Sequence, residues 1–456
     1  MNKKLNLSIL IAVAVLAFSG AARAETFFAY LNGAQENPAV ATSATGYARV
    51  FLNESTLTIN YTVVYNGLSA AQNAGHIHSA ALGVNGPVAI AFPVVGGTSG
   101  TITGTSAITA PQIATLRANG MYVNIHTSAF PGGEIRGQLG KKRPVDFDGD
   151  GRQDFSVLRF PAAGSPRPIT FWNYNSTTGT QIFGTWGNSQ TDYPAPGDYD
   201  GDGRDDFALF RANAIGAQSE FWIIKSSDFT VRYFAWGIGG DIVCARDFDG
   251  DGITDPAVFR RGASAGAPST WYIRRSSNGT VQTELFGTTG GTANDQDFPI
   301  PGDYDGDGKY DVAVYRAGAL TPTNSFIVKR SSDGGITYRQ FGNFVSDYIL
   351  PGDYDGDGKF DYAVARTGAT STTPMVWWIL QSGTGTVRVQ PWGITSDFPV
   401  QGDYDGDART DVAVFRQGAA AGAASHFWVL GSFSNSTQVT QWGVNPDFPI
   451  ARFDSR

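Results

Sequence analysis

From residue 146 onward the apolar positions fall into short runs separated by turn residues. In one stretch they read Phe207-Ala208-Leu209-Phe210, then Phe221-Trp222-Ile223-Ile224, then a third run closing on Trp236-Gly237. A fourth type is Phe-Pro-Ile or Phe-Pro-Val, as at Phe298-Pro299-Ile300. The same order returns near the end of the chain as Val412-Ala413-Val414-Phe415, Phe427-Trp428-Val429-Leu430, Trp442-Gly443 and Phe448-Pro449-Ile450. Runs this short, without helical spacing, predict β-strands. Between them recurs the string Asp-Phe/Tyr-Asp-Gly-Asp-Gly-x-x-Asp. It starts at Asp146, Asp198, Asp247, Asp303, Asp353 and Asp403, at spacings of 52, 49, 56, 50 and 50 residues, with Ala408 replacing the second glycine in the last copy. Four strands in about 50 residues is the size of a propeller blade. The fold class expected is therefore all-β, with a propeller of six four-stranded blades over residues 141–456. The ring should close after Ile450, because Arg452-Phe453-Asp454 begins a loop that is never completed.

Residues 25–140 carry no such period. Alternation at Leu57-Thr58-Ile59-Asn60-Tyr61-Thr62-Val63 and Tyr122-Val123-Asn124-Ile125-His126 predicts half-buried strands, and Pro111 to Asn119 a short helix after Thr109. A small β-sandwich or barrel is expected, joined to the propeller at Lys141-Lys142-Arg143-Pro144.

The first 24 residues follow another rule. Lys3 and Lys4 precede an apolar stretch from Leu7 to Phe18 and then Ala22-Arg23-Ala24. That is the layout of a secretory signal peptide, cleaved before Glu25, and the stretch is shorter than the roughly 20 residues a membrane span needs. Export to the periplasm, cell surface or medium is expected, with no membrane span. A single cysteine, Cys244, allows no internal disulfide and is expected to be buried and inert. Cleavage would take the formal charge from −8 to −11 by removing Lys3, Lys4 and Arg23. An acidic chain of this kind is a poor fit to nucleic acid or an anionic membrane surface.

The acid is concentrated in the repeated loops, which hold 24 of the 41 acidic residues. Ca²⁺ takes six to eight oxygens, and a tight loop offering carboxylates at positions 1, 3, 5 and 9 with a backbone carbonyl at 7 supplies most of them. The expected ligands are Asp146, Asp148, Asp150, Asp154 and the Arg152 carbonyl; Asp198, Asp200, Asp202, Asp206 and Arg204; and Asp247, Asp249, Asp251, Asp255 and Ile253. They continue with Asp303, Asp305, Asp307, Asp311 and Lys309; Asp353, Asp355, Asp357, Asp361 and Lys359; and Asp403, Asp405, Asp407, Asp411 and Arg409. Single Asp-Gly pairs are ordinary turn formers, but four carboxylates converging in each of six loops would repel one another without a cation. About six Ca²⁺ ions are expected, at the modest affinity of extracellular modules, roughly 10⁻⁴ to 10⁻³ M. No loop has the glutamate that closes an EF-hand, so the loops are placed between strands. Ala408 is expected to strain the sixth.

Two other residue types recur. An arginine follows the last aspartate of each loop by five positions, at Arg159, Arg211, Arg260, Arg316, Arg366 and Arg416, where a structural ion pair in every blade is expected. The tryptophans fall at repeated strand positions and are expected to pack between blades rather than to stack on sugars. In the first unit, His76 and His78 lie two apart and so share one strand face, and His126 is placed to join them from a neighbouring strand. Zn²⁺ or Cu²⁺ is the ion three imidazoles would hold, and a solvated polar face is the alternative.

Residues 146–454 resemble the FG-GAP/VCBS repeats of integrin α-subunit propellers and of secreted bacterial proteins. The resemblance implies Ca²⁺ in the blade loops and a role in adhesion, carbohydrate binding or scaffolding. Integrin propellers have seven blades, and this chain has six copies. In residues 25–140, Leu31-Asn32-Gly33-Ala34-Gln35-Glu36-Asn37-Pro38, Gly75-His76-Ile77-His78 and Pro131-Gly132-Gly133-Glu134-Ile135-Arg136-Gly137-Gln138-Leu139 resemble the chordin (CHRD) domain, which implies an extracellular β-domain. The expected function is a secreted calcium-binding module for adhesion, matrix assembly or ligand binding, with an extracellular protein or glycan as partner. The alternatives are a metal-dependent enzyme at the histidines, a hydrolase or lyase on the propeller, and a propeller lectin. Against an enzyme, the propeller has only His426 and no nucleophile with a base at motif spacing.

Overall fold

The computed structural model describes residues 24–141, 144–160, 168–176, 179–291, 296–316, 324–343, 347–433 and 435–450. The expected signal peptide and the uncompleted loop after Ile450 lie outside them.

The first unit is one nine-stranded sheet curled nearly into a barrel. Its strands run in the order Val88–Ala91, Gln72–Ser79, Met121–Thr127, Ile135–Gln138, Ala24–Asn32, Thr45–Asn53, Thr58–Asn66 and Gly100–Ala107. The short strand Gly140–Lys141 pairs with Phe27 and Phe28. Strand Thr58–Asn66 buries alternate residues, so Ile59, Tyr61, Val63 and Tyr65 enter the core with Val50, Ile77, Ile102 and Ile125. The helix is Ala110–Arg117: the Thr109 hydroxyl accepts the Gln112 N–H, and the Gln112 side chain accepts the Thr109 N–H in return, a closed capping box.

The rest is a propeller of six four-stranded blades. Repeat and blade are out of phase by one strand. The Phe-Pro segment that ends one repeat becomes the inner strand of the next blade, as Asp192–Pro194 pairs with Phe207–Arg211 and Asp297–Pro299 with Val312–Arg316. The last such described segment, Phe448–Ile450, joins the first blade, with Ile450 opposite Ser156 and Phe448 opposite Leu158. The ring is closed by its own C-terminal strand. In the second to sixth blades the acidic loop connects the first and second strands; in the first blade it leads into the second strand.

Apolar packing and polar ties hold neighbouring blades together. Trp271 and Trp377 are fully buried. Trp392 Nε1 donates to the Trp428 carbonyl of the next blade at 3.1 Å, and Trp442 does the same to Trp172 across the closure at 3.3 Å. Packing accounts for these rings, as expected. Every recurrent arginine forms a two-pronged ion pair with an aspartate that opens the inner strand of its own blade, at 2.7–2.8 Å for the closer contact: Arg159 with Asp447, Arg211 with Asp192, Arg260 with Asp241, Arg316 with Asp297, Arg366 with Asp347 and Arg416 with Asp397. The carboxylates are buried and also accept a backbone N–H from the approaching turn, such as Ile238 to Asp241 at 2.8 Å. Cys244 is buried, and burial pushes its thiol pKa up.

Candidate metal sites and the seat between the units

In each acidic loop the first aspartate shapes the turn. Its two carboxylate oxygens accept the N–H groups of positions 4 and 6, as Asp198 does from Gly201 at 2.6 Å and Gly203 at 2.8 Å. Position 6 takes a positive φ, 84–90° for the five glycines. Ala408 adopts the same conformation at φ +67 and still donates to Asp403 at 2.8 Å, so the sixth turn forms with its strain carried at one residue.

The last aspartate ties the loop to the outer hairpin of its blade. Asp206 accepts the N–H of Tyr199 at 2.8 Å and of Ser226 at 2.6 Å, and the other five loops repeat the second of these bonds with Ser176, Ser276, Ser331, Ser382 and Ser432. Serine hydroxyls from the same hairpins reach positions 3 and 5, as Ser227 reaches Asp200 and Ser226 reaches Asp202 at 2.8 Å. The serine that recurs after the third strand of each blade is the sequence signal for this tie, and the spacing of the aspartates alone does not reveal it.

Carboxylate oxygens of positions 1, 3 and 9 lie within 4.8 Å of one another in the groups Asp146/Asp148/Asp154, Asp198/Asp200/Asp206 and Asp303/Asp305/Asp311, while in the third loop the group is Asp247/Asp249/Asp251. In the first two loops position 5 is turned toward an arginine instead: Asp150 pairs with Arg152 and Asp202 with Arg204. Asp249 Oδ1 and Asp405 Oδ1 are shielded from solvent and accept no hydrogen bond among the described residues. Burial pushes the carboxyls of Asp206, Asp255, Asp311 and Asp361 up to about 7, and neighbouring loop carboxylates add to the effect. Burial with the charges of Asp407 and Asp403 pushes Asp405 up to about 9. Such groups favour a proton or a cation in their midst, and a dication with oxygen ligands at 2.3–2.6 Å suits this donor set.

The loops are also linked to one another. The N–H at position 8 of each loop donates to the position-1 carbonyl of the loop before it: Asp205 to Asp146, Thr254 to Asp198, Tyr310 to Asp247, Phe360 to Asp303, Thr410 to Asp353 and Gln153 to Asp403, all at 2.6–2.9 Å. Six such bonds make a closed ring around the propeller axis.

The first unit sits on this ring. Arg49 donates to the carbonyls of Asp202 and of Gly201, the latter at 2.9 Å. Asn119 reaches Asp353 Oδ2 at 3.0 Å, and the Arg152 guanidinium lies 3.8 Å over the Tyr30 ring. A Cβ at Gly358 would lie 2.3 Å from the Arg117 carbonyl oxygen, so position 6 of the fifth loop is glycine for space as well as for its φ of +84. Between the two units remains a cavity of about 130 Å³, lined by Asp247, Asp303 and Asp353 from the loops and by Thr26, Asn119 and Lys141 from the first unit. Lys141 also pairs with the fully buried Glu25, which Arg117 holds from the other side.

The three histidines of the first unit come together. Across paired strands Ala74 faces His126 and His76 faces Asn124, and His76 Nδ1 lies 3.1 Å from His126 Nε2. Ligand nitrogens of His76, His78 and His126 lie within 4.8 Å of one another. Burial lowers the pKa of all three, and at His76 the neighbouring imidazoles add to the effect, so the neutral form is favoured.

Residues 27–139 match the CHRD domain, and residues 146–209 and 353–414 match the FG-GAP-like repeat. No curated protein matches the chain.

Proposed function

For a chain that carries a CHRD domain followed by FG-GAP-like repeats, we propose an exported, calcium-loaded propeller that binds an extracellular protein or glycan on the face away from its first domain. The observation that carries this reading is the convergence of partly or fully buried carboxylates in the repeated loops, with an oxygen of Asp249 and one of Asp405 that no described residue satisfies. A cation in each loop would neutralise that charge and stiffen the ring of loops on which the first domain rests. On the opposite face lie the described turns between second and third strands, where Ile215 is 94% exposed. Loops on a rigid scaffold carry binding function more often than the scaffold does. No helix among the described residues is long and apolar enough to cross a membrane.

Two measurements test the reading. Asp357→Ala should lower bound calcium by one ion per chain, because it removes a ligand from the fifth loop alone; unchanged stoichiometry would remove that loop from the set. The full chain lacking residues 1–24, presented to arrays of extracellular-matrix proteins and of glycans, should bind in millimolar Ca²⁺ and lose binding in EGTA. Binding that ignores calcium, or calcium-dependent turnover of a test substrate without binding, would defeat the proposal.

A further inference from the structure

The histidine cluster in the first domain is chemically distinct from the oxygen-lined loops. His78 and His126 are buried at 9% and 8% exposure, yet His78 Nε2 has no hydrogen-bond partner among the described residues. A buried nitrogen left unsatisfied is destabilising. The other ring nitrogens show how it comes to be placed so. His78 Nδ1 lies 2.9 Å from the Gly86 carbonyl, and His126 Nδ1 lies 3.0 Å from the Pro131 carbonyl. A carbonyl can only accept, so each Nδ1 carries the proton and each Nε2 presents a lone pair. His76 Nδ1 and His126 Nε2 face each other, and a ring nitrogen of His78 lies within 4.8 Å of the ligand nitrogens of both.

The rings are held in that arrangement from behind. His78 stacks on Tyr122 with 4.9 Å between centroids and planes 5° apart, and the Arg136 guanidinium lies 3.5 Å over the same tyrosine ring. Imidazoles oriented by carbonyls through one nitrogen, with the other aimed at a shared point, are the outer-shell arrangement that metal-binding histidines need. In tetrahedral coordination at 2.0–2.1 Å the ligand nitrogens stand ~3.3 Å apart. The 3.1 Å between His76 and His126 is already at that spacing.

We propose that His76, His78 and His126 form a three-imidazole site for a borderline divalent ion, Zn²⁺ or Cu²⁺, independent of the calcium loops. Three neutral nitrogens suit these ions and are poor ligands for Ca²⁺, which prefers oxygen. His76 is the least buried of the three.

The test uses the full chain without residues 1–24, saturated with Ca²⁺ and titrated with Zn²⁺, Cu²⁺ and, as a spectroscopic probe, Co²⁺. The expected result is one ion per chain beyond the calcium, with the ligand-field absorption of tetrahedral cobalt. His78→Ala and His126→Ala should weaken uptake at least ~100-fold, while His426→Ala, in the sixth blade, should leave it unchanged. Calcium stoichiometry should be the same in all variants, so failure here is separable from failure of the calcium reading. Wild-type protein that takes up none of the three ions tightly overturns the proposal without reference to whether any variant folds. So does uptake that persists in both histidine variants.

Discussion

Single residues in this protein are constrained by where charge is buried and where the backbone must turn. Ala408 holds φ +67 where the other five loops have glycine. The left-handed conformation costs a non-glycine residue about 1 kcal/mol or more, so Ala408→Gly should stabilise the calcium-loaded protein by about that amount in denaturant titration. Equal stability would mean that packing of the alanine methyl beside Gly140 compensates the strain. Glu36 is a second case. Burial pushes its carboxyl up to about 7, against the opposing charge of Arg136 and a hydrogen bond from Asn124. The folded state thus holds the proton more tightly than the unfolded one, whose carboxyl titrates near 4.5. The stability tied to this group is full below pH 4.5 and is lost as pH rises to 7. Glu36→Gln should therefore raise stability at about pH 8, by on the order of 2 kcal/mol, and have little effect at about pH 4. A gain that is the same at both pH values would contradict the ionisation argument.

The aspartates of the loops were legible at this scale because four carboxylates at fixed spacing recur six times, which an ordinary turn does not require. Those of the arginine pairs were not. Asp192, Asp241, Asp297, Asp347, Asp397 and Asp447 each stand at the start of a short inner strand, outside the acidic loops, and Asp447 meets Arg159 only because the ring closes. An aspartate beside a turn reads as turn chemistry until its strand is placed.

At the scale of elements, the strand pattern was readable because each run is short and bounded by turn residues. What the pattern could not state was phase, since a Phe-Pro segment looks the same whether it ends one blade or begins the next. The difference has a mechanical consequence. Truncation after Asn445 removes the inner strand of the first blade and the carboxylate partner of Arg159, and it should lower the unfolding temperature of the whole ring rather than of one blade. Loss of a small local transition alone would contradict closure by the terminal strand. The arginine pairs allow a comparison between buried and exposed ties. Arg366→Ala leaves the fully buried Asp347 charge without its cation and should cost about 3–5 kcal/mol. Lys329→Ala breaks a pair with Glu284 in which both partners are partly exposed, and should cost about 1 kcal/mol or less in chemical denaturation. Similar losses would show that burial is not what gives the arginine pair its weight.

Across the whole molecule, the six acidic loops serve three structural ends at once. They turn the chain within each blade, they join neighbouring blades through the ring of N–H to carbonyl bonds, and they form the floor on which the first domain rests. None of the joining contacts had a sequence signature. The loop-to-loop bonds run between backbone groups, and the seat uses Arg49, Asn119 and Tyr30, residues of a non-repeating domain with nothing to mark them. An ion in each loop would stabilise all of these contacts together, so calcium should act on the molecule as a unit. At calcium tenfold above the dissociation constant, each site adds ~1.4 kcal/mol, and six sites add about 8 kcal/mol if the ring unfolds cooperatively.

Thermal unfolding of the chain lacking residues 1–24, in millimolar Ca²⁺ and in EGTA with bound calcium counted by mass spectrometry, tests this most directly. Close to six ions are expected, with a rise of at least about 10 °C in the unfolding temperature with calcium. Identical unfolding in the two conditions, with no bound calcium, would contradict it and reduce the aspartate loops to turns.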